Sequence, residues 1–343
     1  VNRVAEAVVR RWYGRPGLLR LLWPLSGLYG LLGGLDRCRA RPWKAPVPVV
    51  VVGNVTVGGT GKTPVVAALV AELAARGLRP GIVSRGHGGE HRRPMAVTAD
   101  SDPALAGDEP VLLAGLCQCP VWVGRDRVAA ARSLLAHHDC DVLVADDGLQ
   151  HHRLGRDVEW VVVDGQRGLG NGHLLPTGPL RESPRRLEAV DAVLINGGHW
   201  HHPRGHRFRL VPTAWVRLVD GLSLPLPEGP RGRVHAVAGI GNPDRFFDSL
   251  RALGLAPQEH RFADHHAYGA GDLVLSEPWP VVTTAKDAVK LQRLIRSGEL
   301  ADLPAGLDQL WYLAVRAELP GPPLEALARR LTAVPPVDAV VEE

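Results

Sequence analysis

Long apolar runs and helical periodicities take turns along most of the chain. Pro46–Val52 (PVPVVVV) is an unbroken β-branched run closed by Gly53. A stretch apolar on both faces is the pattern of a strand buried inside a parallel sheet. After a glycine-rich turn, Pro64–Arg76 (PVVAALVAELAAR) has apolar positions at helical spacing, and Gly77 with Pro80 predicts its end. Short apolar runs at Gly81–Ser84, Val121–Gly124, Asp141–Ala145, Val158–Asp164 and Ala192–Asn196 predict further strands, and Arg125–His138 a helix among them. Strands alternating with helices predict an α/β fold with a doubly wound, mostly parallel sheet.

The pattern changes near residue 197. Gly197–His206 (GGHWHHPRGH) reads as a loop, Phe208–Leu224 holds two short alternating runs suited to a β-ribbon, and Pro225–Gly232 (PLPEGPRG) has linker composition. A second, smaller α/β unit follows, with strands at Val234–Ala238, Val281–Thr284 and Leu310–Val315 and helices at Pro243–Leu253 and Leu324–Leu331. The expected organisation is an amino-terminal helical segment (1–45), a nucleotide-binding domain (46–205), a β-ribbon linker (206–232) and a smaller carboxy-terminal domain (233–343).

Composition sharpens this only in places. At 343 residues, 45% hydrophobic and 22% charged, the chain can bury two cores and is not broadly disordered. A net charge of +4 allows an anionic partner without calling for nucleic acid. The cysteines (Cys38, Cys117, Cys119, Cys140) lack zinc-ligand spacing, and ordinary thiols are favoured over a Cys117–Cys119 metal or redox pair. The histidines at 199, 201, 202 and 206 read as a solvated loop in preference to a metal site. Leu21–Leu35 is uncharged but only 15 residues long, short of the roughly 20 that span a bilayer. Arginines at 10, 11, 15, 20, 37, 39 and 41 flank it, with Trp12, Tyr13, Trp23, Tyr29 and Trp43 interspersed. That pattern favours an anchor on an anionic membrane surface, with a helical hairpin packed on the protein itself as the alternative.

The strongest chemical signal is Gly53–Pro64, GNVTVGGTGKTP. A glycine-rich turn between a buried strand and a helix presents backbone N–H groups at a helix N-terminus, where phosphate is favoured, which makes the expected α/β fold P-loop NTPase-like. The candidate ATP cradle is Thr56, Val57, Gly58, Gly59, Thr60, Gly61, Lys62 and Thr63. Lys62 would reach the outer phosphates and Thr63 a Mg²⁺ ion. Thr56 stands where the usual G-x-x-x-x-G-K-[ST] loop has its first glycine. Asp146 and Asp147, at the end of a predicted parallel strand, are candidate partners of that metal. Asp108, in Gly107-Asp108-Glu109-Pro110, is a weaker candidate for a proton-accepting carboxylate, and His265, in Asp264-His265-His266, for its imidazole partner. The long loop Asp164–Pro184 carries Arg167, Asn171, Arg181 and Glu182, a set suited to phosphate, sugar or metal. Thr283–Lys290 holds Lys286 and Lys290, two of only four lysines, either on a solvated face or at a nucleotide-facing edge.

In order along the chain, GNVTVGGTGKTP, GDEPVLL, DDGLQHHRLGRD, DGQRGLGNGHLLPTGPLRESPRRL, AVAGIGNPDRFF, FADHH and TTAKDAVK resemble the tetraacyldisaccharide 4'-kinase family, which phosphorylates a lipid A precursor. The resemblance runs from the apolar amino-terminal segment to about residue 316 and accounts for the hydroxyl residue at position 56. It implies ATP with Mg²⁺ as donor and the 4'-hydroxyl of an acylated, phosphorylated glucosamine disaccharide as acceptor. It also implies a peripheral position on the cytoplasmic face of the bacterial inner membrane. Catalysis would fall to Asp108, His265 and Lys62, metal binding to Thr63, Asp146, Asp147 and Glu182, and substrate contacts to Asn171, Arg181 and Arg85. The His-rich loop lies outside the family pattern. Two other readings stay open: a membrane-bound ATPase switch of the partitioning type, although Val57 stands where such proteins commonly carry an extra lysine, and a kinase of a soluble metabolite, which leaves Leu21–Leu35 without a role.

Overall fold

The computed structural model describes residues 3–300 and 305–332; the ends of the expected first and last segments, 1–2 and 333–343, and residues 301–304 lie outside them. The first half of the sheet holds β1 (Val49–Gly53), β2 (Pro80–Ser84), β3 (Met95–Val97), β4 (Val121–Val123), β5 (Val142–Asp146), β6 (Val158–Asp164), β7 (Ala192–Asn196) and the start of β8 (Gly205–Arg217). They lie side by side as β8-β7-β6-β1-β5-β2-β4-β3, all parallel except the edge strand β3. The second half adds β9 (Ser223–Pro225), β10 (Arg233–Ala238), β11 (Ala256–Arg261), β12 (Val281–Thr284) and β13 (Leu310–Glu318) in the order β11-β10-β12-β13-β8, with β9 hung on β8.

Valine alternation in β1 explains its unbroken apolar run. Val50 and Val52 face one core with Ile82, Val144 and Leu194, against Val65, Leu69 and Leu73 of a helix. Val49 and Val51 face the other, with Leu143, Val161 and Ile195, against Val128, Ala131 and Leu134. Helices on both faces of a parallel sheet require strands that are apolar throughout.

The helices are α1 (Arg3–Trp12), α2 (Trp23–Arg39), α3 (Lys62–Ala75), α4 (Pro103–Ala106), α5 (Asp108–Leu116), α6 (Arg127–His137), α7 (Pro243–Ala252), α8 (Ala285–Arg296) and α9 (Gly321–Thr332). Asp126 caps α6 by accepting from the Val128 and Ala129 amides, and Thr284 caps α8 through the Asp287 amide.

Three features differ from the sequence reading. The segment expected to begin a linker is one 13-residue strand, β8. Its start pairs in parallel with β7 and its remainder antiparallel with β13, so one strand joins both halves. Neither face of β8 is uniformly buried, which erases the period that would have shown its length. The ribbon itself is present, formed by β8 and β9. Next, α9 packs Leu327 into the core of the first half rather than its own, because β13 runs back along β8. Finally, β3 and β11 went unpredicted: edge strands are short or charged, and β11 reads APQEHR.

At the amino terminus a 3₁₀ turn (Gly17–Leu22) runs into α2, giving a 23-residue helical stretch with mean hydropathy 1.3 in its most apolar window. That is long and apolar enough to cross a membrane by length and composition, where the uncharged core alone was not. One edge docks on the protein: Ser26 Oγ meets Thr177 Oγ1 at 2.8 Å and donates to Leu174 O at 2.9 Å. Leu18, Leu21, Trp23 and Leu31 are 60% or more exposed.

Candidate active site

The turn after β1 has a shape that its glycines permit. Gly58 and Gly61 adopt φ of 100° and 94°, a region that disfavours side chains. A Cβ on Gly61 would also stand 2.5 Å from Asn196 Nδ2, the group that donates to Thr60 O at 3.0 Å. Thr56 is buried and pairs through its backbone with Leu180 of the 164–184 loop. Val57 N donates to Pro179 O, and Val57 O accepts from the Tyr13 hydroxyl at 3.1 Å. The turn delivers Lys62 and Thr63 as the first two residues of α3.

Opposite them, β5 ends in two carboxylates with different environments. Asp146 is fully buried; its Oδ2 accepts from Ser84 Oγ at 2.9 Å, while its Oδ1 has no partner. Burial, with the nearby Glu109 charge, raises its pKa. Asp147 has a left-handed backbone (φ 49°), and strain of this kind collects at functional sites. Its carboxylate lies 3.4 Å from Lys62 Nζ and 3.0 Å from Arg181 Nη1. Burial works against its ionisation, but those two cations hold its pKa well below the usual carboxylate range.

A second cluster spans the two halves. Asp108, at the start of α5, is buried; its Oδ1 accepts from the Glu109 amide and its Oδ2 lies 3.2 Å from His265 Nδ1. His265, at φ 59°, turns its other nitrogen to Lys286 Nζ at 3.1 Å. Lys286 also reaches Glu109 Oε1 at 3.1 Å and Asp264 Oδ1 at 3.3 Å. Burial opposes the Asp108 charge, but the hydrogen bond from His265 and the Lys286 charge bring its pKa down to about 2. The same hydrogen bond raises the pKa of His265.

The halves are tied beside the glycine-rich turn. Asn242 Nδ2 and Arg245 Nη2 both donate to the buried Asp164 carboxylate at 2.9 Å, and Arg167 Nη1 donates to Gly241 O at 2.6 Å. A Cβ on Gly241 would come within 2.4 Å of Gly59 N, so the close approach of the two turns requires glycine there. Between them lies a cavity of about 370 Å³. Its lining combines Val57–Thr63, Asp147 and Arg181 with the apolar Leu210, Ile240, Phe246, Leu313 and Val315, and includes His265 and Lys286.

The family model described as tetraacyldisaccharide-1-P 4'-kinase (LpxK) matches residues 18–332. The chain belongs to that family. Proteins named tetraacyldisaccharide 4'-kinase from Nitrosococcus oceani and Chromobacterium violaceum are 46% and 49% identical to it over 329 and 326 residues. Those matches cover 92% and 91% of this chain and 91% and 94% of the relatives. A crystal structure of LpxK from Aquifex aeolicus in complex with ATP superposes with a TM-score of 0.73 at 27% identity, covering 92% of this chain and 98% of that one.

In this LpxK-family chain the sequence candidates fall into three groups. Val57–Thr63, Asp147, Arg181 and His265 line the cavity. Asp108 and Asp146 are not in the lining but adjoin residues that are, Asp108 in contact with both Glu109 and His265 and Asp146 next to Asp147, and Thr56 is buried under the turn. Asn171, Glu182 and Arg85 do not line it. Asn171 braces its own loop, donating to Thr177 O and accepting from the His173 amide. Glu182 is engaged by Arg37, Arg186 and Gln150 Nε2. Arg85 is exposed just past β2. Sequence reasoning passed over Asp164, Asn242, Arg245 and Glu109. The signal for Asn242 and Arg245 was in GIGNPDR, a second glycine-bearing turn from strand to helix. Among the described residues no group of three or more His, Cys, Asp or Glu is arranged to hold a metal, the 199–206 loop included. There Trp200 stacks on His202, and a Cβ on Gly168 would come within 2.5 Å of its indole.

Proposed function

We propose that the cavity binds ATP with its phosphates on the 58–63 turn and that the chain transfers the γ-phosphate to the 4'-hydroxyl of a tetraacylated glucosamine disaccharide 1-phosphate. One observation carries the reading: in a chain of this kinase family, Lys62, its partner Asp147, and His265, the partner of Asp108, line the same cavity. The turn's amides and Lys62 hold and neutralise the triphosphate, and Asp147 with Arg181 keeps Lys62 directed at it. The nucleotide belongs to the first half, within 46–205, and the half after residue 233 supplies His265 and the far wall.

Mg²⁺ fits these residues. Asp146 offers a buried carboxylate oxygen without a partner, and the Thr63 hydroxyl sits in the first turn of α3. Thr63 and Asp146 would hold the ion, with Asp147 beside them and Glu182 within the adjoining network of Gln150 and Arg181. When bound it neutralises charge on the phosphate oxygens.

Asp108 takes the proton from the attacking hydroxyl. His265 is unsuited to that task, since Nδ1–H serves Asp108 and Nε2 accepts from Lys286. A carboxylate with a pKa of about 2 suffices where proton transfer comes late in a loose transition state. Arg181, in the cavity lining, contacts phosphate, while Asn171 and Arg85, outside that lining, are left for the acceptor.

The acceptor is anionic and keeps its acyl chains in the bilayer. The exposed apolar face of Gly17–Arg39, between arginines, lays the enzyme on the cytoplasmic face of the inner membrane. Family membership disfavours a partitioning-type ATPase, which would leave Asp108 and His265 without work. Incubation of the protein with γ-labelled ATP and Mg²⁺, a lipid disaccharide in vesicles and a soluble sugar tests the reading. Label is expected in the lipid; label released only to water, or passed to the sugar, overturns it.

A further inference from the structure

We propose that Lys286 is a positioning residue that opposes a second proton on His265 and keeps the first on Nδ1. The proposal rests on the reading of Asp108 and His265 as the proton-handling pair. A lysine ammonium has three donors and no lone pair, so the His265 nitrogen it touches must be an acceptor. That contact is Nζ to Nε2 at 3.1 Å. The ring proton is thereby left on Nδ1, where it points at Asp108 Oδ2 from 3.2 Å. A second proton, on Nε2, would meet the Lys286 ammonium at 3.1 Å, while Asp264 Oδ1 stands 3.9 Å away, beyond hydrogen-bond distance.

The surroundings make this device necessary. Two carboxylates face the imidazole, Asp108 from α5 and Asp264 beside it in its own loop, and Glu109 of α5 lies one contact further out, on Lys286. Each favours an imidazolium, and a ring so charged would bind Asp108 as an ion pair and weaken it as a proton acceptor. Against them stand His87, edge-on to the ring at 5.1 Å, and two lysines of α8. Lys290 sits 3.9 Å from Asp108 Oδ2 and is committed to Asp287 at 2.9 Å. Lys286 is the cation in hydrogen-bond contact with the imidazole, and Glu109 and Asp264 anchor it there. Because Glu109 and Lys286 come from different halves, the lock depends on their packing.

The test compares Lys286→Met, which keeps the stem and removes the charge, with Lys286→Arg, which keeps N–H donors. In Lys286→Met the acid limb of kcat against pH is expected to move up by at least about one unit, an activity loss of roughly tenfold near pH 6.5 that shrinks towards pH 8.5. The ATP Kd is expected to stay within about twofold, and Lys286→Arg to restore most of the wild-type profile. A uniform fall in kcat at every pH overturns the proposal in favour of a packing role. A tenfold weaker ATP Kd with an unmoved limb overturns it in favour of phosphate binding. Nitrogen-15 NMR of histidine-labelled wild-type protein needs no variant: Nδ1–H with an unprotonated Nε2 at pH 8.5 supports the assignment, and the opposite tautomer or an imidazolium at that pH overturns it. That spectrum holds even if Asp108→Asn retains activity, which would instead sink the proton-handling reading beneath it.

Discussion

The phosphate-binding turn and the Asp108–His265–Lys286 cluster face the same cavity and are built on different principles. The turn is contiguous, residues 53–64, and its shape follows from glycines at positive φ and from the start of α3. The cluster joins residues far apart in sequence, Lys286 and Glu109 being 177 positions from each other, and it exists only while α5 and α8 are pressed together. Supporting contacts reflect this. The turn leans on its own half through Asn196, Pro179 and Tyr13. The cluster depends on the ties that Asp164 makes to Asn242 and Arg245 across the halves. A site of the first kind tolerates movement of the second half; a site of the second kind is undone by it.

This contrast is open to being broken, most severely at Lys62. Lys62→Ala removes the one side-chain cation of the turn, and transfer is expected to fall by roughly 10³-fold or more with ATP binding weakened in parallel. Normal ATP binding by that variant would erase the division of labour. A somewhat smaller loss is expected in Asp108→Asn, roughly 10²–10⁴ in kcat, with the ATP Kd unchanged. The same variant reports on stability. Asp108 titrates near 2 in the folded protein against about 3.9 in an unfolded chain, so its stabilising contribution is present above pH ~4 and disappears as pH falls through 2. The gap in Tm between wild type and Asp108→Asn should therefore narrow below pH ~4; a constant gap would mean that His265 and Lys286 do not stabilise the charge. The smallest effect is expected from Arg245→Ala, which leaves Asp164 with Asn242 as its side-chain partner: a kcat loss of about tenfold at nearly constant ATP affinity, and a Tm lower by a few degrees. Equal losses in both functions would show that the turn needs the second half as much as the cluster does.

What the sequence determined by itself was whatever is encoded over short distances. The valine run of β1, the glycine turn and the helix after it could be read because periodicity and φ preference are local properties of neighbouring residues. The two carboxylates after β5 were visible for the same reason. Only the tertiary structure decided that Asp146 is buried with one oxygen unpaired while Asp147 is claimed by Lys62 and Arg181, because the difference comes from Ser84 and Arg181 on distant segments. It also decided that β8 is one strand shared by both halves, and that Glu182 pairs with Arg37 of α2. Lys286 is the clearest case: as a letter it is a cation after a strand. It acquires chemical meaning only when packing sets it against an imidazole, since tautomer and charge depend on distances of about 3 Å between groups that the chain itself keeps far apart.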